Sequence, residues 1–430
     1  MIRLVTKYPN FATGARFMYG LEDVWPWLLN KTGYAAAPFI LGILGFIAYS
    51  TLRLVWRQLL RLWCFFSSRR RALNAVRRQH PKDGPREGKG LWLTSPISPP
   101  DNYEANIGKP LVLVIGNHKG GVGKTTLCAN LGAYWAKEWG KKVLLIDLDF
   151  QGTLSAMSLR AGNWVPPRGQ DSLATRTISG DLEPSLFVSC AKEVPQEPNL
   201  KVVTAYYDLA QADNRLIVEW LLQCQPARAQ SFMRMVREVV FGNAFRLRDL
   251  RYNLAELLQS KSVKQEFDLV IIDCPPRLTT GAVQALCAGS HLLIPTILDQ
   301  PSAEAVVAFV EEIEGLKNGG VCPHLKCIGI VGTKVSANVN RIAEVAAKTL
   351  ISDALRDGNS SVGLLADAEF VRQSASLVND AEDGIAYLVV GNAPAQQAAR
   401  DGIGRLAEYV ARQIGLPPPM AHVGALRNSS

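Results

Sequence analysis

Residues 109–415 predict an α/β domain: a predominantly parallel sheet with helices on both faces, preceded by an N-terminal transmembrane helix. Three observations carry that class. Short unbroken apolar runs at 111–115, 143–146, within 267–276, at 291–296 and at 327–333 have the length and composition of strands buried on both faces. Helical patterns, with apolar residues three and four apart, fall between them, as at 125–139 and 302–316. Ahead of them all, residues 33–52 carry no charge, which is long enough to span a bilayer.

The chain has 430 residues, 48% of them hydrophobic, enough for a sizeable core in one large or two ordinary domains. Its formal net charge of +9 is unevenly placed. Residues 1–100 hold 15 Lys/Arg against 4 Asp/Glu, leaving 32 against 34 for the rest, so bulk charge gives the larger part no case for nucleic-acid binding. Residues 1–32 form a mixed N-terminal segment. The uncharged run that follows passes into Arg53, Arg57 and Arg61 without a small-residue cleavage site, the pattern of an uncleaved anchor continuing to residue 66 as a basic juxtamembrane helix. Eleven Lys/Arg follow between Arg53 and Lys89 against four before the span, and the positive-inside rule then puts the C-terminal part in the cytoplasm. Residues 67–108, basic and rich in Pro and Gly, read as a tether.

The domain opens with strand 111–115, the turn GNHKGGVGKTT at 116–126, and a helix ended by Gly140. Strand, glycine-rich turn and helix N-terminus together make an anion site. Backbone N–H groups of Gly120, Gly121, Val122, Gly123 and Lys124 converge on phosphate, with Thr125 and Thr126 opening the helix. Lys124 pairs the outer phosphates of ATP and Thr125 binds Mg2+ in such a loop. His118 stands where the general motif has glycine, and Lys119 precedes a Gly-Gly pair. This K-G-G-x-G-K-T form resembles the deviant Walker A of the ParA/MinD family of ATPases. The resemblance implies an ATP-dependent homodimer in which Lys119 reaches the partner's phosphates.

The second strand ends at Asp147 and Asp149, followed by Phe150-Gln151-Gly152. This is similar to the family's D-x-D-P-Q-G motif with Phe150 in place of proline. By resemblance Asp149 acts on the attacking water and Asp147 lies near the Mg2+ shell; carboxylates at a strand's C-terminal end also sit where open α/β sheets bind ligands. Residues 153–199 read as loop and short helices, and 200–215 as a strand and a helix start. The stretch 216–258 is helical and rich in Arg, Met and Leu, an insertion whose arginines solvate helix faces or serve a partner. In FDLVIIDCPP, Asp273 is the Walker B candidate for Mg2+, and Cys274-Pro275-Pro276 matches the family's D-C-P-P turn. Residues Thr333, Lys334 and Val335 fall where the family frames adenine. Residues 386–390 read as a last strand, 393–414 as a last amphipathic helix and 416–430 as a flexible tail. Eight cysteines without a C-x-x-C pair indicate reduced, buried thiols.

Together these features predict a Mg2+-dependent ATPase in a bacterial inner membrane, single-pass, with its ATPase domain cytoplasmic. It would be an ATP-driven dimerisation switch, slow and partner-stimulated, that positions or regulates an unidentified protein partner. Two other readings compete. A partition-type ATPase would bind DNA non-specifically, with Arg400, Arg405 and Arg412 as a basic face interrupted by Asp401 and Glu408. A membrane-coupled P-loop tyrosine kinase would carry a C-terminal tyrosine cluster, whereas Tyr409 is the last tyrosine.

Overall fold

A computed structural model describes residues 42–60, 62–63, 91–93, 103, 110–165, 171–223, 249–335, 341–358, 360–372, 383–389 and 393–419. The chain divides into two units, Met1–Arg70 and Arg71–Ser430. In the first, residues 42–60 form helix α1, whose apolar side chains are exposed: Ile43 at 50%, Phe46 at 71% and Leu52 at 70%. Among the described residues no helix is long and apolar enough to cross a membrane, so the expected span is not supported by them. Arg53 and Arg57 enter α1 within its second half, and residues 33–41 of that span lie outside the described residues.

The second unit alternates strands and helices. In chain order come β1 (Leu111–Ile115), α2 (Lys124–Trp139), β2 (Val143–Asp147), α3 (Thr153–Leu159), α4 (Leu173–Ser179), α5 (Pro184–Cys190), β3 (Lys192–Val194), β4 (Glu197–Val203) and α6 (Asp208–Gln223). After residues 224–248, outside the described ones, follow α7 (Asn253–Leu258), α8 (Lys261–Glu266), β5 (Leu269–Asp273), α9 (Thr280–Ala288), β6 (His291–Ile297), α10 (Gln300–Asn318) and β7 (Lys326–Val335). The unit closes with α11 (Arg341–Asp357), β8 (Val371–Arg372), α12 (Ala386–Val389) and α13 (Pro394–Ile414).

Among the described residues eight strands form one sheet in the order β3-β4-β2-β5-β1-β6-β7-β8, parallel throughout except for the antiparallel β3–β4 pair. Successive side chains of a strand point to opposite faces, so each strand feeds two cores. Val112, Val114, Leu144, Ile146, Val270 and Ile272 pack on the side of α4, α6, α9 and α10. Leu113, Ile115, Leu145, Leu269 and Ile271 pack on the side of α2, α3 and α13. Gly132 lets α2 lie close to the sheet: a Cβ there would stand 2.7 Å from Leu145 Cδ2. The helices on both faces and the parallel strands are as the apolar runs predict.

Three differences are informative. Residues 386–389 are helical, not a strand; Ala386 and Tyr387 bury against α2, and the Tyr387 N–H donates to Asn130 Oδ1 at 2.7 Å rather than to a sheet neighbour. The segment read as a tether is fastened within this unit at two described points. Trp92 is buried, and Tyr103 is buried with its hydroxyl donating to the Cys287 carbonyl. Finally, the described part of 153–199 holds the short helices α3, α4 and α5, as read, but also the edge strand β3, with Pro184 opening α5.

Candidate functional site

β1 lies between β5 and β6, so the carboxyl ends of β1, β2 and β5 open side by side at the point where the strand order reverses. In register, Ile115 pairs with Asp273 and Asp273 with Asp147. The turn 116–123 leaves β1 and enters α2 through Gly123, whose φ of 85° lies in the left-handed region, as does that of Gly121 at 75°. Glycine adopts those angles without steric cost, and they aim successive N–H groups into one concavity. Gly120 and Gly121 are exposed at its rim and Val122 is buried beneath, its carbonyl accepting from the Thr333 hydroxyl at 2.8 Å.

Lys124 is buried, and its Nζ donates to the Lys119 carbonyl at 2.9 Å. Burial holds its pKa below the ordinary lysine value, against the opposing pull of Asp273, Cys274 and Asp149. Asp273 is fully buried at the end of β5, and neither of its carboxylate oxygens meets hydrogen-bond geometry, although the Thr125 hydroxyl acts to stabilise the anion. Burial, then the charge of Asp147, drives its pKa well above the carboxylate range. An unsatisfied buried carboxylate beside a hydroxyl is an oxygen donor set suited to Mg2+, which takes one or two protein groups and completes its shell with water and phosphate, and the neighbouring Lys124 ammonium suits the phosphate. The residues present therefore fit Mg2+ and a nucleotide phosphate.

Asp147 is equally buried but satisfied. Its Oδ2 accepts from Ser155 N at 2.9 Å and Ser155 Oγ at 2.7 Å, and its Oδ1 from Asp149 N at 3.1 Å. Burial raises its pKa to about 6 while the Ser155 bonds hold it down. Ser155 Oγ in turn accepts from Ala205 N at 2.9 Å, tying β2 to the end of β4. Asp149 is half-buried; its Oδ1 accepts from Gln151 N at 3.0 Å and its carbonyl from Gly152 N at 2.9 Å, so the turn closes with Phe150 in it.

The Lys119 side chain reaches the start of α10. Its Nζ donates to Ser302 Oγ at 2.6 Å and to Asp299 Oδ1 at 3.2 Å, both at the start of α10. Asp299 caps that helix, accepting from Ser302 N at 2.7 Å; burial raises its pKa, but the Ser302 bonds and Lys119 outweigh it and hold the carboxyl below its usual range. His118 Nε2 meets Glu312 Oε2 at 2.6 Å and its ring stands edge-on to Phe309. Asn117 closes the turn, donating to Pro295 O at 2.7 Å and accepting from Lys119 N at 3.1 Å.

The structure thus brings Lys124, Thr125, Asp147, Asp149 and Asp273 to one end of the sheet and turns the Lys119 ammonium to α10. Thr126 uses its carbonyl to accept from Asn130 Nδ2 at 2.7 Å inside α2. Sequence reasoning missed Asn117, Asp299, Ser302 and Glu312. An aspartate before Gln-Pro-Ser is a readable helix cap, so Asp299 and Ser302 had a signal; Glu312, three turns into α10, had none. Of the eight cysteines, the six within described residues are free thiols, four of them buried.

Comparison with known proteins agrees with this geometry. A family model described as an AAA domain matches residues 111–326. The chain is 30% identical over 237 residues to the chromosome partitioning protein ParA of Myxococcus xanthus, covering 55% of this chain and 68% of that one. It is 30% identical over 222 residues to the chromosome-partitioning ATPase Soj of Thermus thermophilus, covering 51% and 68%. A solved McdA–ATP complex from Cyanothece matches with a TM-score of 0.51 at 18% identity, over 71% of this chain and 98% of that one, a likeness of fold. The chain belongs to this AAA-domain family, as a ParA-like P-loop ATPase.

Proposed function

We propose that this protein is an ATP-hydrolysing switch, which dimerises with ATP bound and holds a protein assembly at the membrane. The observation that carries it is Asp273, buried with both oxygens unsatisfied beside Thr125 and Lys124, at the end of the strand next to a phosphate-binding turn. When bound, Mg2+ would supply charge neutralisation between the outer phosphates. Thr125 and Asp273 would hold it. Lys124 would bind the phosphates of ATP, its hydrogen bond to the Lys119 carbonyl fixing the ammonium near the turn. Asp149, poised on the closed Asp149–Gly152 turn, would orient the attacking water. Asp147 holds that turn and the start of α3 in place.

Lys119 would serve the dimer. Leaving Asp299 and Ser302 would free its ammonium for phosphates across the interface. Membrane attachment through the N-terminal unit is supported by the exposed apolar side chains of α1 and by Arg53 and Arg57, placed four residues apart for anionic headgroups. A DNA-binding reading is favoured by the partition proteins among the relatives, but the near-neutral charge after residue 100 weighs against it, as does the contact of Arg400 with the Tyr387 carbonyl at 3.4 Å.

Light scattering of residues 71–430 carrying Asp149→Ala, with ATP and with ADP, tests the switch. A monomer that becomes a dimer only with ATP is the expected result; a mass unchanged by nucleotide contradicts it. Deleting residues 1–66 should move the protein out of the membrane fraction, and its retention there would refute the attachment.

A further inference from the structure

We propose that Trp92 is a positioning residue for the nucleotide site, acting through the turn that follows Asp273; the inference rests on the ATPase reading above. Trp92 belongs to the stretch ahead of the domain that composition marks as a tether, yet it is 7% exposed and held at three points. Its indole Nε1 donates to the Leu278 carbonyl at 3.3 Å. Its ring stacks on Trp220, centroids 5.0 Å apart and planes at 30°. Its carbonyl accepts from Arg251 Nη1 at 2.8 Å, and Arg251 is itself locked by Asp249 and lies over the Trp220 ring at 5.2 Å. Beside it, Leu93 rests on the far end of α10, where a Cβ on Gly315 would meet it at 3.6 Å.

Leu278 is the sensitive point of contact. The turn from Asp273 to α9 is pinned at its near end by Cys274 N donating to Ile115 O at 3.1 Å, and at its far end by the Thr279 cap on Ala282 N at 3.2 Å. Pro275 and Pro276 between them have no N–H to donate, so the turn is placed by bonds to its carbonyls and by packing. The Trp92 indole supplies one such bond. On one side Pro275, Arg277 and Leu278 share the lining of a small cavity with Gly116, Asn117 and His118, and a Cβ on Gly116 would stand 3.8 Å from Cys274 Cβ. On the other they line a cavity of about 220 Å³ with Leu148 and Phe150, next to Asp147 and Asp149. Both phosphate-site loops therefore lean on the turn that Trp92 holds.

The test compares full-length wild type with Trp92→Phe, which keeps an aromatic ring against Trp220 and removes the N–H donor. Amide exchange across 274–279 without nucleotide should speed up about fivefold, and the Mg2+ concentration for half-maximal ATP binding should rise by a similar factor, the worth of one ordinary hydrogen bond. Wild-type values for both would overturn the proposal. Should Trp92→Phe fail to fold, exchange at 91–93 in the wild type is followed with and without Mg2+–ATP: slowing on binding supports the coupling, and identical rates refute it. Lys124→Ala, run in parallel, separates the two readings. If it binds ATP as wild type does, the ATPase site itself is misassigned; if it does not, a silent Trp92→Phe condemns the positioning role alone.

Discussion

Two buried clusters of charge in the same unit are built in opposite ways. Asp249 and Arg251 are 1% and 0% exposed, and they satisfy each other: Nη2 to Oδ2 at 2.7 Å, Nε to Oδ1 at 3.0 Å, with Nη1 left for the Trp92 carbonyl. Asp273 and Lys124 are as deeply placed, at 0% and 6%, but neither carboxylate oxygen has a partner in hydrogen-bond geometry and the ammonium rests on a backbone carbonyl. Burying charge costs several kcal/mol unless partners compensate, so a complete pair needs nothing further from its surroundings, whereas an incomplete one is organised for something that arrives. The first cluster is architecture. The second is a site.

Breaking that contrast gives effects of graded size. Asp249→Ala strands the Arg251 guanidinium and should cost about 3–5 kcal/mol in urea unfolding, while the apolar double replacement Asp249→Leu with Arg251→Met should cost far less. Lys124→Ala should weaken ATP binding about 100-fold in a fluorescent-nucleotide titration, the loss expected of charge-assisted hydrogen bonds to phosphate.

Asp273→Asn should move stability the other way, making the nucleotide-free protein more stable by about 1–3 kcal/mol at pH 8 because a buried unsatisfied charge is removed. The sign follows from linkage. The Asp273 carboxyl holds its proton more tightly folded than unfolded, so its contribution is most favourable at low pH. That contribution declines as pH rises from about 4 through the raised folded value. Asp147, raised to about 6, declines over the lower part of the same window. Thermal midpoints of wild type and Asp273→Asn should therefore diverge with rising pH, and parallel curves would show that Asp273 is not charged against its surroundings. The smallest effect belongs to Lys119→Ala, which loses a half-exposed tie to Asp299 and Ser302 and should change monomer stability by at most about 1 kcal/mol.

The two clusters also differed in how far they could be read from sequence. The phosphate turn, Asp147, Asp149 and Asp273 were legible because each sits at the end of an unbroken apolar run, where local pattern alone places it in space. The Asp249–Arg251 pair lies within the Arg-, Met- and Leu-rich stretch 216–258, whose arginines read as solvating helix faces or serving a partner, and the residues that bury it, Trp92 and Trp220, are 159 and 31 positions from Arg251. Long-range packing of that kind leaves no periodic trace. The same reason hid the docking of Trp92 and Tyr103 within a proline- and glycine-rich segment. The four residues 386–389 misled for a different cause: β-branched and aromatic content suggested a strand, and contact with α2 overrode it. The latch of Lys119 on Asp299 was hidden because side-chain direction in a turn is set by the neighbouring helix, 180 residues away.

The most direct test of the claim that Asp273 is held ready for Mg2+ and nucleotide is calorimetric titration of ATP into wild type and Asp273→Asn, with and without Mg2+ at neutral pH. Mg2+ should tighten binding to the wild type and leave Asp273→Asn unchanged. Equal tightening of both would contradict the account, because the metal would then be held without the carboxylate on which it rests.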